Sequence, residues 1–185
     1  MSGTTRSAGR PRRAGVTRSV LDAAVDLVGR QGYRATSLDE IARAAGVAKT
    51  TVYRRWDSKG ALVADALLDR LGDLPGVTGE TDLRSTVAWL ARSASAPDVH
   101  ALLLGVMAES SDGDLRTELR ERVRGPFVAA LGDGWRVDHA SAATAFDLVV
   151  GTLLFRSTGA DPVDDRLVDD VTDLVVGYLN GSRAT

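Results

Sequence analysis

Between Gly46 and Trp56 the chain gathers Lys49, Thr50, Thr51, Tyr53, Arg54 and Arg55, interrupted by a single apolar residue, Val52. Every one of these polar side chains donates hydrogen bonds, and three also carry positive charge. None stands beside a partner that would make it a nucleophile. The chemistry on offer is therefore recognition: ammonium and guanidinium groups match phosphate oxygens and the acceptor edges of purines, and hydroxyls suit either. Elsewhere the reactive inventory is thin. There is no cysteine, and the two histidines, His100 and His139, lie far apart, so neither thiol chemistry nor a metal-ligand cluster is expected. Gly72, Gly76 and Gly79 read as loop punctuation and not as a phosphate-cradling loop. No cofactor is implied, and an enzyme or carrier reading finds no nucleophile, base or metal set to support it.

The charge distribution agrees with recognition of a polyanion. The chain of 185 residues has a net charge of -2, but residues 1–60 carry +7 and the remainder -9. One end suits a nucleic acid and the other repels it. Arginine far outnumbers lysine throughout, so placement and not abundance carries the argument. A chain this long buries roughly 70% of its unfolded surface, enough for a substantial core. No apolar run approaches the ~18 residues of a membrane span and no leader pattern opens the sequence, so a cytoplasmic location is expected.

These side chains need short elements to aim them, and the apolar spacing is helical nearly everywhere. Val20, Ala24, Leu27 and Val28 form one stripe that stops at Gly32. A second helix starts at Ser37, whose hydroxyl and the Glu40 carboxylate are spaced for a reciprocal capping box, with Ile41 and Ala45 facing inward. The turn Gly46-Val47-Ala48 leads into a third helix over about 49–56, and a fourth starts near Asp57 or Ser58, runs to Leu71 and is closed by Leu74-Pro75-Gly76. Further helices are expected at about 82–95, 98–110, 114–131, 138–156 and 163–180, with a kink at Pro126. The fold class is all-α with about nine helices: an N-terminal three-helix helix-turn-helix domain over 15–60 and a C-terminal helical bundle over 61–185. Residues 1–14 form a flexible basic arm.

Ala42 and Gly46 supply the small contact and the tight turn that a steep helix crossing needs. With Val47 and Val52 anchored inside, Ala48, Lys49, Thr50, Thr51, Tyr53, Arg54 and Arg55 are left facing outward, a surface suited to a DNA major groove. Lys49, Thr50 and Arg54 are expected at base edges, with Ala48 available for a thymine methyl. Thr36, Ser37, Thr51, Tyr53, Arg55 and Lys59 are expected on phosphates, which fix register without carrying sequence information. Arg10, Arg12 and Arg13, held extended by Pro11, form either a minor-groove arm or a solvated tail. Trp56 reads as core, packed on the first and fourth helices, and Asp138 as a helix cap.

From Val16 to Leu62 the chain resembles the TetR family of bacterial transcriptional regulators. Gly32-Tyr33, Thr36-Ser37-Leu38, Ile41-Ala42, Gly46-Val47, the block from Tyr53 to Trp56, Ser58-Lys59 and Leu62 carry the likeness. Arg55 stands where many members have His or Tyr, and Gly60 replaces a common acid. The resemblance implies an all-helical homodimer reading an inverted-repeat operator, with a C-terminal domain that binds a small-molecule effector and releases DNA. Gly151-Thr152-Leu153-Leu154-Phe155-Arg156 with Thr158-Gly159 is similar to a helix that packs against the partner subunit, placing the dimer seam on residues 138–156 and 163–180. By family position, Trp89, Leu103, Met107, Phe127 and Phe146 are the expected effector-pocket residues. A regulator of the same fold controlled without a small ligand, or one of activating sign, is the alternative.

Overall fold

The computed structural model describes residues 10–72, 75–108, 113–157 and 163–183, and among them every regular element is helical. The order is α1 (Arg10–Gln31), α2 (Leu38–Ala44), α3 (Lys49–Tyr53), α4 (Lys59–Leu71), α5 (Glu80–Ser95), α6 (Pro97–Ala108), α7 (Gly113–Leu119), a π-helical turn (Arg120–Arg124), α8 (Gly125–Trp135), α9 (His139–Ser157) and α10 (Asp165–Ser182). Because α7, the π turn and α8 run on without a break, the described residues form nine helical rods, as the periodicity predicts.

Three local expectations need correction. Arg10, Arg12 and Arg13 are not extended: their backbone is the first turn of α1. Pro11 fits there because first-turn N–H groups have no intrahelical partner, so a missing donor costs nothing. The rest of the expected arm, residues 1–9, lies outside the described residues. The fourth helix runs to Leu71 as expected, but it is Gly72, with φ 72°, and not Leu74-Pro75-Gly76 that ends it. Finally, where a kink is expected at Pro126 the helix carries a π turn just before it, with the Gly125 N–H bonded to the Arg120 carbonyl in an i→i+5 pattern. A Cβ on Gly125 would stand 3.0 Å from that carbonyl oxygen, a tight contact that glycine avoids.

Two hydrophobic clusters organise the packing. One unites α1–α4 with Val99 and Leu102 of α6 and Leu115 of α7; Val20, Ile41, Val52, Leu62 and Leu102 are fully buried in it. The other joins α5, α8, α9 and α10 around Val87, Leu131, Val149, Leu153, Val175 and Leu179. Packing does not break at residue 60: α4 lies in the first core and lends its C-terminal leucines to the space between the two.

Candidate nucleic-acid interface

The reading segment is set by the short helices before and within it. Ser37 caps α2 by accepting from the Glu40 N–H at 3.2 Å, while its own N–H donates to the Glu40 carboxylate at 2.9 Å. The Ser37 hydroxyl also donates to that carboxylate at 2.9 Å, and this bond first and the Ser37 N–H second hold the Glu40 carboxyl below its ordinary range. After α2, Gly46 adopts φ 67°, a left-handed turn that side chains disfavour, and the Val47 N–H returns to the Ala42 carbonyl at 3.0 Å. Ala42 is buried as the crossing requires, Ala45 and Val47 are half-buried against the same core, and Val52 is fully buried.

With Val52 inward, the opposite face of α3 lies open. Ala48, Lys49, Thr50 and Arg54 are all exposed, and Tyr53 is 52% exposed despite its ring. The four expected base-reading residues thus share one accessible surface. Lys49 is not idle on it: its ammonium pairs with the Asp39 carboxylate, and the Tyr53 hydroxyl donates to the other oxygen of Asp39 at 3.3 Å. The Lys49 hydrogen bond is the chief reason that the Asp39 carboxyl sits below its ordinary value. Asp39 escapes the sequence reading because it is ten residues from Lys49 and follows no periodic rule linking the two. Only the α2–α3 crossing brings them together.

The expected phosphate group divides. Thr36 is buried, its hydroxyl donating to the Gly32 carbonyl at 2.8 Å, so its side chain secures the α1–α2 connection and does not face outward. That corrects its expected exposure; the reason is that Gly32 ends α1 and leaves a carbonyl needing a donor. Lys59 is also drawn inward, donating to the Tyr33 carbonyl at 2.7 Å and the Thr36 carbonyl at 2.9 Å, with its ammonium 4.0 Å from the Tyr33 ring centroid. Arg55 is half-buried and reaches the Thr17 hydroxyl on α1. Thr51 is half-buried, whereas Ser37 and Tyr53 remain exposed. Nothing is described for the side chains of Arg10, Arg12 and Arg13. Trp56 is core, 3% exposed, and its indole N–H donates to Asp65 of α4 at 2.8 Å.

The helical bundle also holds a partly open cavity of about 230 Å³ lined by α4, α5, α6, the π turn, α8 and α9. Of the expected pocket residues, Leu103, Phe127 and Phe146 line it, the two phenylalanines meeting edge to face at 5.1 Å. Trp89 does not; its neighbour Leu90 does, because one residue along a helix turns the side chain by ~100°. The Met107 side chain lies outside the described residues, as do Thr158 and Gly159. Sequence reading missed Leu67, Leu68 and Leu71, which look like ordinary core at helical spacing. At the far end, Asp138 caps α9 by accepting from the Ser141 N–H at 2.7 Å, which lowers its carboxyl, and His139 is exposed.

Known proteins share this arrangement. The model of the family described as bacterial regulatory proteins, tetR family, matches residues 20–66, the span from mid-α1 through the reading helix into α4. An uncharacterized HTH-type transcriptional regulator of Bacillus subtilis, YdeS, is 30% identical over 96% of this chain and 94% of its own length. The DNA-binding transcriptional repressor TetR of Mycobacteroides abscessus is 34% identical over 91% of this chain and 98% of its own. In fold, the transcriptional regulator FadR of Bacillus subtilis, solved with stearoyl-CoA, superposes with a TM-score of 0.65 at 17% identity, covering 87% of this chain and 98% of that one. Family and relatives are transcriptional regulators and not enzymes, and none of the described helices is long and apolar enough to cross a membrane. With the exposed cationic face of α3 lying inside the matched segment, the chain belongs to the TetR family and is a DNA-binding transcriptional regulator.

Proposed function

We propose that the protein is a cytoplasmic repressor that binds an inverted-repeat operator as a homodimer and is released by a small molecule held in the bundle cavity. The observation that carries the DNA reading is the shared exposed face of Ala48, Lys49, Thr50 and Arg54 opposite a fully buried Val52. Lys49, Thr50 and Arg54 take base edges, Ala48 a thymine methyl, and Ser37, Thr51 and Tyr53 the backbone oxygens. Arg55 and Lys59 contribute positive potential at the flanks while bracing the reader, and Thr36 positions the α2 terminus. Arg10, Arg12 and Arg13, at the start of α1, would add charge beside the groove.

Dimerisation through residues 138–156 and 163–180 is supported by where the apolar surface lies. Phe155 of α9 is 79% exposed and Leu174 of α10 is 59% exposed, and Tyr53 of the reader is the other large side chain with apolar area left open among the described residues. Joined there, two subunits present two reading helices, whose productive separation is one groove repeat of ~34–36 Å. An effector that favours another separation opposes DNA, and by reciprocity DNA weakens the effector by the same factor.

The test is selection from randomised duplex DNA followed by mobility shifts. Enrichment of an inverted repeat whose half-site preference is relaxed by Arg54→Ala or Lys49→Ala is the expected result. Selection that enriches no sequence would sink the reading.

A further inference from the structure

We infer that the effector is a neutral, largely hydrocarbon molecule, and that it acts on the reading helix through Asp65, which joins an arginine of the cavity wall to the indole of Trp56. This rests on the cavity being the effector site.

The wall carries leucine, valine, phenylalanine, alanine, proline and glycine, and its one charged side chain among the described residues is Arg122. That guanidinium is already doubly engaged: Nη1 donates to Asp65 Oδ1 at 2.7 Å and Nε pairs with Glu118 at 2.6 Å. One cation and two carboxylates leave the cluster with a net charge of -1. An anionic head group arriving at Arg122 would meet that negative balance, whereas a neutral molecule meets only hydrocarbon. Burying an anion elsewhere in such a wall is costlier still.

The same cluster reaches the reader. Asp65 belongs to α4, whose Leu67, Leu68 and Leu71 line the cavity, and its second oxygen accepts from Trp56 Nε1 at 2.8 Å. Trp56 lies three residues past the end of α3, and its backbone N–H bonds to the Val52 carbonyl at 3.0 Å, which ties it to the buried anchor of the reading helix. Arg122 sits on the π turn, where i→i+5 bonding inserts extra backbone between α7 and α8. Filling the cavity separates that turn from α4, lengthens the Arg122–Asp65 contact and loosens the indole from Asp65. Asp65 is a positioning residue in this scheme and lies outside the cavity wall.

The experiment uses the full chain with the operator obtained by selection, and two probes of equal chain length, 1-decanol and decanoate. Calorimetry measures uptake, and fluorescence anisotropy measures operator affinity with and without saturating probe. The wild type is expected to take up 1-decanol about tenfold more tightly than decanoate and to bind operator about tenfold more weakly when loaded, within the usual range of allosteric coupling. In Asp65→Ala and Trp56→Phe, loaded with 1-decanol, this ratio is expected to fall below about twofold; as a ratio it does not depend on each variant's own DNA affinity. Trp56→Phe keeps a ring in the core and so guards against loss of fold. Decanoate binding as tightly as 1-decanol overturns the neutral class. An unchanged ratio in both variants overturns the Asp65 route. A protein that selects its operator yet takes up neither probe overturns the whole inference while leaving the DNA reading intact; a failed selection strikes that reading instead.

Discussion

The helices that read and the helices that enclose are stabilised differently. α2 has 7 residues and α3 has 5, whereas α9 has 19 and α10 has 18. Isolated helices shorter than ~12–15 residues are marginal in water, so the short pair cannot be oriented by its own hydrogen bonding or by a long apolar stripe. Polar ties do much of that work: the Ser37–Glu40 box, Lys59 on two carbonyls, Arg55 on Thr17 and Trp56 on Asp65. The bundle relies on area, with Leu153, Val171, Val175 and Leu179 packed along whole helices, and it leaves a partly open cavity beside them. Directional bonds fix a surface to the tolerance that base reading needs; dispersion leaves room for a guest.

Trp56→Ala is the severest way to test that contrast, because it deletes a large core side chain and also leaves Asp65 without its indole donor. A loss of about 3–5 kcal/mol is expected from truncating the side chain, measured by urea denaturation. Should Leu179→Ala in the bundle abolish DNA binding as completely as Trp56→Ala does, the two regions would not be distinct. Phe155→Glu comes next: placing a charge at the proposed seam should weaken self-association by about 30-fold or more, seen by sedimentation across protein concentrations, with the helical content unchanged. Arg54→Ala should cost about 1–3 kcal/mol of discrimination at particular base pairs, read as the ratio of affinities for selected and mismatched sites.

Smaller effects probe the ties themselves. Ser37→Ala is expected to cost about 0.5–2 kcal/mol through loss of the cap. Because the Glu40 carboxyl is depressed in the folded protein, its contribution is fully present above its ordinary value of 4.5 and fades as the pH falls through the lower folded value. Denaturation curves from neutral to acid should therefore show Ser37→Ala losing less stability on acidification than the wild type. Asp39→Asn should have the mildest consequence, about a threefold gain in affinity for duplex DNA at low salt, since an anion is removed from the reading face. A loss of affinity instead would mean that Asp39 serves chiefly to orient Lys49.

The reader was legible in the sequence because it is written in residue identities at fixed offsets: Ser37 and Glu40, Gly46, and Val52 among donors. The ties were not, because their partners are distant along the chain. Thr36 shows the difference well: a hydroxyl beside a helix N-terminus suggests phosphate, yet the Gly32 carbonyl, exposed by the end of α1, claims it at 2.8 Å. In the bundle, periodicity recovered the helices and family position recovered Leu103, Phe127 and Phe146 of the wall, but Trp89 and Leu90 are adjacent apolar residues, and only the packing of α5 chooses which one faces the cavity. The π turn was likewise hidden, although Gly125-Pro126 marked its place.

Asp39 bears on how the protein would search a chromosome. With a carboxylate already accompanying Lys49, contact with random duplex displaces fewer mobile ions from the DNA than a tally of cations on α3 suggests. If Lys49 reads a base as proposed, it would commit itself only where a base edge outcompetes its internal companion, and wrong sites would be held lightly and left quickly.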